Sequence, residues 1–186
     1  MAVSTRVLPS GAWGVLMYGR IGAQWLQGQL LRGEACGCEA GGFGTLCFGA
    51  AVALTDGLLA VGNPCNNTVH VYRQVFEGLG GGKPSFPSWQ PDAVLTSGWG
   101  SGPWGSRFGA AVDITPSFLI VGAPSARQLP PDQPLPVSSF AHVFYRGARS
   151  NASWSLLYES ETGCCLRSLA CCPGRPRPGG VGTSVA

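Results

Sequence analysis

Charge is sparse in this sequence: Asp, Glu, Lys and Arg make up 11% of its 186 residues, and the formal net charge is only +3. So sparse a distribution excludes the dense basic stripe that tracks a phosphate backbone, and no nucleic-acid partner is expected. Histidine is scarcer still, with two copies, His70 and His142, which leaves little material for acid–base catalysis. Neither a G-x-S-x-G elbow nor an H-E-x-x-H helix occurs, so two common hydrolase signatures are missing. No stretch reaches the roughly 18 consecutive apolar residues that span a bilayer, and no transmembrane span is expected. Residues 1–20 lack a basic segment followed by an apolar one, so they show no export signal of that form.

What is abundant is apolar residues (45%), glycine (29) and proline (15). The length fits one domain with a sizeable core. Glycine punctuates apolar stretches such as Leu58-Leu59-Ala60-Val61 and Phe118-Leu119-Ile120-Val121. That distribution predicts many short strands joined by turns rather than a disordered chain.

The strands repeat. Phe48-Gly49-Ala50-Ala51-Val52-Ala53-Leu54 returns as Phe108-Gly109-Ala110-Ala111-Val112-Asp113-Ile114, a shift of 60 residues. Leu59-Ala60-Val61-Gly62-Asn63-Pro64 returns at the same shift as Leu119-Ile120-Val121-Gly122-Ala123-Pro124. A third strand, Val69-His70-Val71-Tyr72-Arg73, returns 72 residues on around His142, the extra length falling in the proline-rich residues 125–139. Exposed insertions of this kind are tolerated between repeat strands. A fourth strand opens on tryptophan at Trp25, Trp89 and Trp154, with spacings of 64 and 65. Gly14-Val15-Leu16-Met17-Tyr18 aligns with the third strand, so the first unit is entered part-way through, with its last two strands.

A four-stranded sheet with apolar residues on both faces must stack on its neighbours, and radial stacking gives a propeller. The fold expected is therefore all-β: a partial β-propeller of four-stranded antiparallel blades, about two and a half of them. Residues 1–10 are expected as an extension, 11–160 as the repeat region, and 161–186, rich in Cys, Pro and Gly, as a disordered tail. Strands are expected near 48–54, 57–63, 68–73 and 87–96, and again near 108–114, 117–123, 140–146 and 153–158.

The order F-G-x-x-V-A, L-x-V-G-x-P, x-V-x-V-Y, W-x-x-x-x-x-L over about residues 11–160 resembles the FG-GAP repeat. That repeat builds the propeller of integrin α subunits and occurs in bacterial and algal surface proteins and in a phospholipase that cleaves lipid anchors. Its signature falls on Phe48, Gly49, Gly62 and Pro64, and then on Phe108, Gly109, Gly122, Ala123 and Pro124; Asn63 replaces the alanine in the first copy. The resemblance implies a non-catalytic binding module for a protein or glycan ligand, outside the cell or at its surface. The alternatives are an accessory propeller of a larger enzyme or a truncated fragment. Many integrin-type units carry a D-x-D-x-D-G calcium loop between their first two strands. Here the turns are Thr55-Asp56-Gly57 and Thr115-Pro116-Ser117, with Asp56 and Asp113 as lone carboxylates. One carboxylate cannot supply six or more oxygen ligands, so the calcium-free form, with no cofactor and no metal, is expected.

The remaining motifs read as structural. His70 and His142 occupy one repeat position, which holds Leu16 in the first unit, so a structural or surface role rather than metal ligation is expected of them. Gly78-Leu79-Gly80-Gly81-Gly82-Lys83 superficially matches a phosphate loop, but Glu77 stands where glycine is required and Pro84 follows the lysine. The cysteines form an early group (36, 38, 47 and 65) and a late one (164, 165, 171 and 172), leaving disulfides, zinc and free thiols open. Asn66-Asn67-Thr68 and Asn151-Ala152-Ser153 are sequons, making Asn66 and Asn151 candidate glycosylation sites. With so few units, self-association or further blades are expected to close the stack.

Overall fold

The computed structural model describes residues 2–7, 12–33, 47–76, 87–97, 106–124, 137–147 and 153–164. Among them every helix or strand element is a β-strand and all pairing is antiparallel, so the chain is all-β. Asn151, the 78–83 loop, the insertion up to residue 136 and five cysteines (36, 38, 165, 171 and 172) lie outside the described residues.

Three sheets follow one another. The first holds β1 (Ala2–Val7), β2 (Trp13–Ile21) and β3 (Gln24–Arg32). The second holds β4 (Ala51–Thr55), β5 (Leu58–Asn63), β6 (Thr68–Val75) and β7 (Ser88–Thr96). The third holds β8 (Ala111–Ile114), β9 (Phe118–Pro124), β10 (Val137–Arg146) and β11 (Trp154–Cys164). Within each sheet, neighbours in sequence are neighbours in space, because a direct return allows antiparallel pairing whereas a parallel pair needs a long crossover.

Element limits depart from the sequence expectation in several places, among them β10, which opens at Val137 inside the stretch read as an insertion. The strands foreseen from Phe48 and Phe108 begin at Ala51 and Ala111, because residues 47–50 and 107–110 are turns. Ala50 N donates to Cys47 O at 2.9 Å and Ala110 N to Arg107 O at 3.1 Å, with Gly49 and Gly109 at φ of 90° and 93°. Only glycine takes that conformation without steric cost, which is why it follows each phenylalanine. The stretch 1–10, expected as an extension, contains β1, whose residues Ala2 to Val7 pair with Tyr18 to Trp13. The first sheet thus has three strands where two were foreseen. Finally, β11 extends to Cys164, into the stretch assigned to the tail.

A structural repeat underlies the sequence repeat. The register of the last strand pair shifts once in each sheet, between Leu16 and Tyr18, between Val71 and Tyr72, and between Val143 and Phe144. In each case the last strand carries the extra residue, a β-bulge at one repeat position.

The core forms two layers. Val15, Met17 and Leu31 of the first sheet pack with Phe48, Leu59, Val61, Tyr72 and Trp89 of the second unit. The opposite face of the second sheet, with Leu58, Ala60, Val69 and Val71, packs with Phe108, Leu119, Val121, Phe144 and Trp154. The middle strand β5 is accordingly buried at every residue, as expected for a sheet covered on both sides, whereas β9 alternates, with Phe118 and Ile120 exposed. The three fourth-strand tryptophans follow the same logic: Trp89 and Trp154 face a preceding sheet and are buried, while Trp25 has no described sheet before it and is half-exposed. No helix among the described residues is long and apolar enough to cross a membrane.

Candidate functional site

The signature residues converge on the seams between sheets. Phe48 and Phe108 are almost wholly buried, and each meets the histidine of its own unit edge-on: Phe48 with His70 at 5.3 Å between centroids, Phe108 with His142 at 5.0 Å. This contact explains why histidine recurs at the shifted repeat position, since the positive edge of one ring meets the electron-rich face of the other. Gly49 N and Gly109 N donate to the carbonyls of Gly62 and Gly122 at 2.9 and 3.1 Å, tying each Phe-Gly turn to the second strand of its unit.

Gly62 has a second role, across the seam. A Cβ at Gly62 would fall on the carbonyl oxygen of Gly109 in the next unit, deep inside van der Waals contact, and its three nearest atoms all belong to Gly109. Gly33 stands in the same way against the side chain of Phe48. Pro64 lies in the turn after β5, where its carbonyl accepts from Asn67 N at 3.2 Å, and the corresponding Pro124 ends β9 opposite Ser139. Ala123 is fully buried in the second core layer.

Polar contacts reinforce both seams. The Gln29 amide brackets the backbone of Trp89: Nε2 donates to Trp89 O at 3.0 Å and Oε1 accepts from Trp89 N at 2.6 Å. At the next seam Asp92, the extra residue of the β7 bulge, pairs with Arg146 at 3.8 Å, and the Arg146 guanidinium lies 5.9 Å from the Trp154 ring centre. Bulges re-aim side chains, and here the bulge region of one sheet reaches the next.

Sequence reasoning missed one residue at these seams and left two others open. Asn67 is 2% exposed, has φ of 52°, and its Oδ1 accepts from Phe108 N at 3.1 Å, joining one unit to the start of the next. The available signal was its type, since asparagine tolerates the left-handed region and turns. Cys47 and Cys65 are both disulfide-bonded. They flank Phe48 and Pro64, whereas the corresponding residues one unit later are Arg107 and Ser125, so this linkage is not part of the repeat. For these two cysteines the open choice among disulfide, zinc and free thiol closes on the disulfide. Of the two sequon asparagines, Asn66 sits half-buried in the turn after β5, its N–H donating to Asn63 O at 3.1 Å.

The carboxylates foreseen as lone do not gather. Asp56 is exposed at the β4–β5 turn, and Asp113 Oδ1 accepts from Ile114 N at 2.9 Å. Among the described residues no group of three or more His, Cys, Asp or Glu comes together to hold a metal.

His142 is the chemically distinctive side chain. It is wholly buried, its Nε2 stands 3.5 Å from Glu159 Oε2, and neither ring nitrogen makes a well-formed hydrogen bond. Burial lowers its pKa below the ordinary imidazole value, and the opposing pull of the Glu159 charge and the Val121 backbone is smaller. The folded state therefore prefers neutral His142, and below the unfolded pKa of about 6.5 the unfolded chain takes up more protons. Stability contributed by this group is complete above that pH and is lost as pH falls toward the lowered folded value. Urea midpoints of the full chain should drop between pH 7.5 and 5, and His142→Leu, which installs the residue of the first unit, should flatten that part of the profile. A profile unchanged by the substitution would contradict the assignment. No protein-family model matches the sequence, and a search of curated proteins finds no match either.

Proposed function

We propose that the chain is a non-catalytic module of FG-GAP type, part of a β-propeller, which works by binding a protein or glycan ligand at a cell surface or outside the cell. The observation that carries this reading is the outer face of the third sheet. Phe118, Ile120, Tyr145 and Tyr158 are 43%, 36%, 38% and 60% exposed there, around Val143. Phe118 pairs directly with Tyr145, their rings 5.4 Å apart, and Val143 pairs with both Ile120 and Tyr158, so the five side chains share one face. A contiguous apolar and aromatic face of this kind marks an interaction surface, and the aliphatic Ile120 and Val143 favour a protein ligand. The disulfide linkage of Cys47 and Cys65 supports an oxidising compartment.

Fluorescently labelled full chain should bind intact cultured cells saturably. Protease treatment of the cells should remove binding while glycosidase treatment spares it, and Ile120→Asp should weaken it at least tenfold, about 1.4 kcal/mol. Absence of saturable binding, or binding indifferent to Ile120→Asp, would overturn the reading.

A further inference from the structure

The outer face of the third sheet carries a charge that its counterpart in the second sheet lacks. Register places Asp113, Ile120, Val143 and Tyr158 in one row across the four strands, with the Phe118–Tyr145 ring pair in the next row. Among the described residues, Asp113 is the one charged side chain that register puts on this face. One unit earlier the position holds Ala53, packed against the covered core of the second seam. A carboxylate in that place under an apolar sheet would be stripped of water without gaining a partner, at a high cost. The third face therefore calls for an occupant that covers tyrosine, phenylalanine and isoleucine and also brings positive charge to Asp113.

The residues that follow β11 have that chemistry. Residues 165–186 contain Arg167, Arg175 and Arg177 and no Asp, Glu or Lys. Pro173, Pro176 and Pro178 frame the last two arginines in the run Pro-Gly-Arg-Pro-Arg-Pro. Prolines at this density favour the polyproline II form, which is already extended, loses little entropy on docking and is recognised by aromatic-lined surfaces. Arginine adds contacts of its own, because a guanidinium stacks on aromatic faces and pairs with carboxylates.

Chain length agrees. β11 runs to Cys164, six residues beyond Tyr158 and nine beyond Ser155, which lies opposite Tyr145. At roughly 3.3 Å per residue these two rows stand about 20 and 30 Å back along the strand. A polyproline segment advances about 3.1 Å per residue. A chain that reverses just after Cys164 and returns over the face thus brings residues 173–178 alongside both rows.

We propose that residues 173–178 dock on the outer face of the third sheet, with Arg175 and Arg177 at Asp113 and the exposed rings, so that the chain covers its own ligand surface until a ligand displaces the segment. The competition rests on the surface-binding function proposed above, whereas the docking stands without it.

The test places p-benzoylphenylalanine at Phe118 in the full chain, and peptide mass spectrometry after photolysis identifies what the benzophenone reaches. The expected adducts fall within residues 173–178 of the same monomeric molecule. Arg175→Glu with Arg177→Glu should cut their yield at least fivefold, Asp113→Arg should do the same, and combining the three should restore it. The arginine substitutions fall outside the described sheets and read out even where Asp113→Arg destabilises the fold. Adducts elsewhere in the chain, adducts only in a covalent dimer, no adduct, or a yield indifferent to the arginine reversals would overturn the docking. In the cell-binding assay the Arg175→Glu, Arg177→Glu chain should bind at least threefold more tightly than the unaltered chain, and equal affinity would overturn the competition. Charge-dependent adducts with no saturable cell binding by either chain would remove the surface-binding function and leave the docking intact.

Discussion

Gly62→Val should abolish cooperative folding of the second and third sheets as one unit. The added Cβ meets the Gly109 carbonyl oxygen, a backbone atom that no rotamer change can move aside. Gly109 cannot retreat easily, since it is held at φ of 93° and a Cβ on it would itself lie 2.7 Å from Thr68 O. Overpacking in a core costs roughly 1–3 kcal/mol when side chains can yield, and more when they cannot. A backbone wedge at the seam is therefore expected to cost about 3–5 kcal/mol, a large part of the roughly 5–15 kcal/mol that holds a domain together. Urea unfolding of the purified chain measures it. An unchanged midpoint would mean that the two sheets do not meet at Gly62.

Phe108→Ala is expected to be comparably damaging for a different reason. Phe108 is fully buried in the second core layer and meets both His142, at 5.0 Å, and Phe144, at 6.0 Å. Removing a buried phenylalanine costs about 3–5 kcal/mol through lost transfer energy and the cavity left behind. The same cavity relieves the burial of His142, so its pKa should rise back toward the ordinary value and the acid sensitivity described above should weaken. Phe108→Leu fills most of the volume and should recover much of the stability without restoring the ring-to-ring contact. Nuclear magnetic resonance titration of His142 in the two variants separates the effects; a His142 pKa unmoved by Phe108→Ala would place the origin of its shift elsewhere.

The sequence made the strands legible wherever the repeat marked them. β5 and β9 were announced by identical Val-Gly positions, and the third and fourth strands by recurring His and Trp. β1 was missed because Ala-Val-Ser-Thr-Arg-Val carries no repeat signature and is specified by its pairing with β2. The Phe-Gly turns were read as strand because the apolar run is continuous across them, and only φ at the glycine separates turn from strand. The site was legible as a set of signature positions, but not as a seam: that Gly62 faces Gly109 and that Asn67 accepts from Phe108 are contacts between units, to which a within-unit pattern is blind. The state of Cys47 and Cys65 stayed open among disulfide, zinc and free thiol because the next unit carries Arg107 and Ser125 in their places, so repetition, the strongest guide elsewhere, could not decide it.

The strict neighbour-to-neighbour order of strands in every sheet has a kinetic consequence. Because each strand pairs with the one made just before it, chain segments meet after short loop closures, and low contact order of this kind favours fast folding for a β protein. During synthesis the second sheet can assemble as soon as β7 leaves the ribosome, before the third has emerged from it. Its Leu58, Ala60, Val69 and Val71 face then waits, uncovered, for the ribosome to deliver the Phe108 unit. That interval, set by translation speed rather than by pairing, is when the nascent chain is most exposed to misassembly with a neighbour of its own kind.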